Sequence, residues 1–413
     1  MNVLYNFSIA LLSKLLPLLA FFHPKLKLFV NGRKNVFQVL EQGISQNEDW
    51  VWFHAASLGE FEQGIPVIER YKIEFPEHKI LVTFFSPSGY EVRKNNKLAD
   101  LTTYLPLDTK QNVHQFLKIV HPKKVFFIKY EFWPNYLNAL SQQKIPVYLI
   151  SGIFRKEQIF FKNYGGYYRK ALQNIDYFFV QNKISKDLLE SIGFTNVKIS
   201  GDTRFDRVGA ILKQNNHLDF IVKFKNNQLM IVVGSSWSKD EALFIHLIDQ
   251  LPVNVKIVFA PHLIHKENID ALKSKFSKPV VLYSEKENKN LHEYQIMIID
   301  AIGFLTKVYS EADLAYVGGG FGTAGLHNIL EPATFGIPVV IGPNFEKFNE
   351  AKELVQLGGC LVVDGQATFN QTVMKLINNA DFRHEKGKIC SDFVQNNQGA
   401  TETIFNFLKQ KKD

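Results

Sequence analysis

The stretch DLAYVGGGFGTAGLHNILEPATFGIPVVIGP, Asp313 to Pro343, decides the fold. An apolar run ends at Val317 and passes into Gly318, Gly319, Gly320, Gly322 and Gly325; a helix is expected to begin near Leu326, and PVVIG then starts a second apolar run. Strand, loop, helix and strand in that order form one βαβ unit, which sets two strands parallel and puts the loop at their carboxyl end. Glycines take positive φ and let backbone approach a ligand, while a helix start offers unpaired N–H groups, so the loop reads as an anion site. Its spacing fits neither the Walker A pattern nor GxGxxG with an acid on the next strand, which disfavours NTPase and dehydrogenase readings.

The same rhythm extends outward. LMIVVG, VKIVFA, PVVLY and QIMIID precede the stretch, and VWFHA, KILVTFF, KVFFIK, PVYLI and DYFFV form an earlier series separated by helical patterns. Between the series lies a polar segment from about Arg207 to Gln228, rich in Asn and Lys. The pattern predicts an α/β protein of two doubly wound, Rossmann-like halves, and 413 residues at 46% hydrophobic are enough for two full cores. The expected divisions are a hydrophobic segment over residues 1–30, a first domain over 31–210, and a second over 211–413 that includes the terminal helix. A ligand is expected in the cleft between the halves, at the carboxyl ends of the strands.

Val3 to Phe22 is about 20 residues of mostly apolar chain, long enough as a helix to match a hydrocarbon core of about 30 Å. Lys14 and Pro17 interrupt it, and bases from Lys25 follow, as on the cytoplasmic side of a membrane. Membrane attachment is expected, with spanning and interfacial placement both open. The net charge of +8, with bases near both ends, suits an anionic membrane surface or polyanion. Nucleic acid is not expected as a partner, since no recognition motif accompanies the bases. Cys360 and Cys390 have no metal-ligand spacing, and no metal or other cofactor is expected.

Several residues fall at strand ends. Ser235 and Ser236 of GSSW precede a helix expected near Lys239, where they would cap it or hold a phosphate. In APH, Pro261 and His262 belong to a surface loop or a nucleotide contact. Glu331, a turn beyond His327 and Asn328, is placed to accept hydrogen bonds from ribose hydroxyls. In the first half Glu131 of KYEFWPN follows a strand, and Glu60 of HAASLGEFEQG stands in the first turn of a helix. The helix dipole there favours an ionised carboxylate, so Glu60 is either a helix-start charge or a general base of ordinary pKa. A base facing an anion site across a cleft describes glycosyl transfer from a nucleotide sugar.

At this point the motifs WFHAASLGE, TFFSPSGYE, YEFWPN, GDTRFDR, DAIGFLTKVYSEADLAYVGGG and GLHNILEPATFGIPVVIGP resemble the bacterial 3-deoxy-D-manno-octulosonic acid (Kdo) transferases over nearly the whole chain. The resemblance implies a GT-B fold of two Rossmann-like domains, CMP-Kdo as donor, a lipid A precursor (lipid IVA) as acceptor at the cytoplasmic face of the inner membrane, and inversion of the anomeric carbon. It further implies Glu60 as base, Glu131 as a second acid needed for activity, and donor contacts from Ser235, Ser236, Pro261, His262, Gly303, Gly319, Gly320, Asn328 and Glu331. The family usually has an arginine beside the APH histidine, and a Gly-Gly-His run where this chain reads Ala324 to His327. A transferase for another nucleotide sugar, an epimerase of the same fold, and a non-catalytic membrane binder are the competing readings.

Overall fold

The computed structural model describes residues 1–410 and divides into two α/β units, residues 1–207 with 398–410, and residues 208–397. In the first, strands β1 (Trp50–Ala55), β2 (Lys79–Phe84), β3 (Leu101–Tyr104), β4 (Lys124–Ile128), β5 (Val147–Gly152), β6 (Tyr177–Val180) and β7 (Val197–Ile199) form one parallel sheet in the order β3-β2-β1-β4-β5-β6-β7. The second carries β8 (Leu229–Ser236), β9 (Val255–Pro261), β10 (Val280–Leu282), β11 (Ile296–Ile298), β12 (Leu314–Val317), β13 (Val339–Ile341) and β14 (Cys360–Val362) in the order β10-β11-β9-β8-β12-β13-β14, again all parallel.

Every strand-like run named above is a strand, whereas β3, β7 and β14 are short or half-polar and left no strand signal. The long runs are continuous rather than alternating because both faces of a parallel sheet are covered. In β1, Trp50 and Trp52 join one core while Val51, Phe53 and Ala55 join the other. The Phe53 and Phe126 rings stack on that second face, 4.7 Å apart.

Two expectations need correction. The terminal helix, Ala400–Gln410, belongs to the first unit and not the second: Ile404, Phe405 and Leu408 complete the core beneath β1, Phe407 lies 3.9 Å from Tyr177, and Asp206 accepts hydrogen bonds from the Gly399 and Thr401 N–H groups. The apolar stripe of this helix is therefore buried against a sheet that ended two hundred residues earlier, a pairing invisible to local periodicity. The helix after the glycine loop begins at Leu330 rather than near Leu326. Gly325, at φ +93°, turns the chain, His327 N–H donates to the Gly318 carbonyl, and the Asn328 side chain accepts from Leu330 N–H, so residues 326–329 are held as a loop.

The helix Asn2–Leu19 has a mean hydropathy of 1.4 and is apolar and long enough to cross a membrane. It is fastened to the first unit: Tyr5 donates to the Asp108 carboxylate at 2.7 Å, the Asn135 amide donates to Asn6 at 2.9 Å, and Leu16 is buried.

Candidate active site

In each sheet the strand order reverses beside the first strand, between β1 and β4 and between β8 and β12. The crevice outside the carboxyl ends of strands at such a switch point is where doubly wound sheets bind ligands. Glu60 follows β1 and Glu131 follows β4, while Ser235 and Ser236 end β8 and Gly319 and Gly320 follow β12. Three non-glycine residues at strand ends, Lys129 (φ 74°), Ser151 (φ 51°) and Ser235 (φ 51°), adopt the left-handed conformation that L-residues avoid at a cost of about 1 to 2 kcal/mol.

Glu60 lies in the first turn of the helix Leu58–Glu74, only 4% exposed. Its carboxylate accepts the Ala56 N–H and is also supported by the Ser57 N–H, reaching back over the helix start as the acidic member of a capping box does. Those bonds and Lys129 favour the ionised form. Burial opposes them, the Glu131 charge adds to it, and together they push the pKa up to about 7. The expectation of an ordinary carboxylate stabilised by the helix dipole is thereby corrected: desolvation outweighs the dipole, and Glu60 is a capping residue and a carboxyl poised to exchange a proton near neutral pH.

His54, two residues before Ala56, is a further residue of this site whose role its local sequence did not mark. Buried at the end of β1, it receives the Trp133 indole N–H at Nε2 (3.3 Å), so its own proton sits on Nδ1 and is donated to Thr83, whose Oγ1 is 2.8 Å away. Thr83 also receives the Trp52 indole N–H at 2.7 Å. Glu131 stands 3.7 Å from His54 Nε2, beyond hydrogen-bond reach. Trp133 packs on Phe85, at 4.6 Å between centroids, which ties the loop after β2 to this group. The signal was available: a histidine inside an otherwise apolar strand at the switch point.

In the second unit Asp240 is the organiser that the sequence did not reveal. Its carboxylate accepts from the Trp237 and Gly319 N–H groups at 2.9 and 3.0 Å and from the Tyr316 hydroxyl at 2.8 Å, joining the β8 and β12 loops. Gly319 has φ +94°, and a Cβ there would overlap the Gly325 carbonyl oxygen. At Gly320 a Cβ would crowd the Gly342 backbone. Ser236 is buried and donates to Glu241 at 3.0 Å, so it does not cap the helix that starts at Ser238. Pro261 pairs with Ser236 in the sheet register, and His262 N–H donates to the Ser236 carbonyl.

His262 stacks on Trp237 with centroids 4.5 Å apart and lies 4.7 Å from His327, which accepts the Trp237 indole N–H at 3.1 Å. Burial lowers the pKa of both histidines, so at neutral pH this is an uncharged aromatic wall. Glu331 is held from two sides, by the Thr306 hydroxyl at 2.7 Å and the Asn328 amide at 3.1 Å. Gly303, at φ +94° before the helix Leu305–Tyr309, has open space around it and is not drawn into these contacts. Both loop clusters thus combine a carboxylate fixed by backbone N–H groups with flat rings.

Residues 31–207 match the family model described as 3-deoxy-D-manno-octulosonic-acid transferase (kdotransferase). The chain is 29% identical over 352 residues to a 3-deoxy-D-manno-octulosonic acid transferase of Chlamydophila psittaci, covering 81% of this chain and 80% of that one. It is 26% identical to the Haemophilus influenzae enzyme of the same description, over 87% of this chain and 86% of that protein. Among solved structures, a UDP-GlcNAc 2-epimerase from Neisseria meningitidis superposes with a TM-score of 0.61 at 15% identity, over 87% of this chain and 100% of that one. Acinetobacter baumannii MurG does so with 0.55 at 13% identity, over 88% and 99%. These structures share only the fold, two parallel-sheet α/β units of GT-B type. The chain is a homologue of the bacterial Kdo transferases and carries their family domain over residues 31–207.

Proposed function

We propose that the protein transfers Kdo from CMP-Kdo to a hydroxyl of a lipid A precursor (lipid IVA), with inversion, at the cytoplasmic face of the inner membrane. Glu60 acts as general base. It takes the proton of the acceptor hydroxyl as that oxygen bonds to the anomeric carbon, the sugar–phosphate bond breaks, and CMP leaves with the bonding pair. The observation that carries this reading is the Glu60 carboxyl itself, buried at a switch point with its pKa raised to about 7. A base works best when its pKa lies near the operating pH, which maximises the product of ionised fraction and proton affinity. Glu131 is the neighbouring acid that helps set that pKa.

The donor belongs to the second unit. The loop at Gly319 and Gly320, where Asp240 holds the Gly319 N–H, receives the CMP phosphate together with Ser235; Pro261 and His262 border the cytosine; and Asn328 orients Glu331 toward the ribose hydroxyls. Gly303 gives the adjacent loop its left-handed turn. The test is to incubate the protein with CMP-Kdo and a defined phosphorylated, acylated glucosamine disaccharide, following CMP release and the mass of the lipid product. Release of CMP with a Kdo-sized mass increase is expected. A pH profile of kcat/KM should rise through about pH 7, because the base must lose its proton. Absence of transfer from CMP-Kdo, with transfer from a UDP-sugar instead, would overturn the donor assignment.

A further inference from the structure

A cavity of about 590 Å³ opens in the first unit between the helix Asn2–Leu19 and the start of the helix Lys110–Val120. Lys14, Arg33 and Lys110 line it, together with Asn6, Ser13 and Thr109, and among the described residues no Asp or Glu does. Arg33 is the half-buried member. Its guanidinium lies 3.6 Å from the centre of the Phe29 ring and donates to three carbonyls, of Phe29, Phe85 and Leu105, at 3.0, 2.6 and 2.9 Å. Carbonyl oxygens solvate the guanidinium without neutralising it, and burial pushes its pKa down to about 9. A half-buried cation solvated only by carbonyls is stabilised by an anion that enters beside it. The Lys110 and Gln111 N–H groups, at the positive end of their helix behind the Thr109 cap, add to the same potential.

The opposite face of the helix Asn2–Leu19 is bare hydrocarbon. Val3, Leu4, Phe7, Leu11, Leu15 and Leu18 are 41% to 84% exposed, while the Tyr5–Asp108 and Asn6–Asn135 bonds fix the polar face to the protein. One helix therefore separates a surface suited to acyl chains from a cation-lined cavity suited to their headgroup. We propose that this cavity binds the phosphomonoester headgroup of a lipid whose chains lie along the apolar face of that helix. A phosphomonoester carries about −1.5 to −2 charges at neutral pH and three acceptor oxygens, which three cations match and a singly charged diester does not. A chain of contacts through Phe85, Trp133 and His54 joins Arg33 to Glu131. That this lipid is the acceptor rests on the function proposed above; the binding itself requires no donor.

The experiment uses the full chain and flotation with phosphatidylcholine vesicles containing phosphatidic acid, or phosphatidylglycerol at equal surface charge. Wild type should bind the phosphatidic acid vesicles about tenfold more tightly, one charge-assisted hydrogen bond's worth of selectivity. The pair Lys14→Ala and Lys110→Ala should lose that preference while still floating through the apolar face, and Lys14→Arg with Lys110→Arg should keep it. Equal affinity of wild type for both vesicles, or a preference that survives the alanine pair, would overturn the proposal. Inorganic phosphate that binds in calorimetry as tightly as the vesicle-borne phosphomonoester would overturn it in favour of a soluble anion. CMP affinity, measured on the same alanine variant, should be unchanged; failure of wild type to bind CMP tells against the donor reading and leaves the vesicle result standing.

Discussion

The two units have the same number of parallel strands, the same reversal beside their first strand and loops in the same places, yet they treat charge in opposite ways. In the first, burial raises the pKa of a carboxyl, Glu60, so that the group holds or releases a proton near neutrality. In the second, burial lowers the pKa of His262 and His327, so that the imidazoles stay uncharged beside Trp237, while Asp240 spends its carboxylate on fixing backbone. Desolvation acts on both; what differs is the sign of the ionised form it opposes. The lesson is that the fold supplies the place and the loops supply the chemistry. On the function proposed above, the first unit reacts and the second holds.

The strongest way to break it is Glu60→Gln, which keeps an acceptor for the Ala56 N–H and removes the proposed base. A loss of about a hundredfold or more in kcat is expected, with CMP affinity in calorimetry unchanged. The stability change has a definite sign. A carboxyl whose pKa is raised from 4.5 to about 7 on folding favours the folded state below pH 4.5 and loses that contribution as pH rises to about 7. At pH 8 the glutamine variant should therefore melt higher than wild type, by up to roughly 3 kcal/mol of stability. Near-normal turnover would move the base to Glu131.

The mirror experiment is Glu331→Ala. Loss of a charge-assisted hydrogen bond worth about 1.5 to 3 kcal/mol should weaken CMP binding about tenfold to a hundredfold. An unchanged calorimetric affinity would remove Glu331 from the donor site. Gly319→Ala asks the same of the loop backbone: a left-handed alanine costs about 1 to 2 kcal/mol even before its Cβ meets the Gly325 carbonyl. The expected result is a lower melting temperature with weakened CMP binding, and a variant as stable as wild type would show that the loop is not rigid.

The finest test is Glu131→Gln. Since burial is the larger cause of the Glu60 shift and Glu131 the second, removing that charge should move the acidic limb of the pH profile down while leaving most of the shift in place. A limb that stays in place would separate the two carboxyls electrostatically.

How much of this was legible beforehand depended on range. The short strand-like apolar runs announced eleven of the strands because each of them is itself a strand, and the glycine loop announced its own place after β12. Glu60 and Glu131 were visible as acids at strand ends. The roles of His54 and Asp240 were not, because each is defined by partners distant in the chain: Thr83 and Trp133 for the first, Tyr316 and Gly319 for the second. The helix start near Leu326 failed for a related reason, since the Gly318 carbonyl claims the His327 N–H and holds that segment in a loop.

The sequence by itself determined the class of fold, the two-part division, the apolar N-terminal helix and the loops where chemistry concentrates, because these follow from periodicity and backbone preference over a few residues. Only the tertiary structure decided that the last helix completes the first core, that Asp240 ties two loops together, and that Glu60 titrates near pH 7. Burial and long-range charge set those outcomes. The free energy of an ionised carboxylate depends on which groups replace water around it, and those groups come from β1, β4 and the loops that follow them, brought together only when the sheet forms.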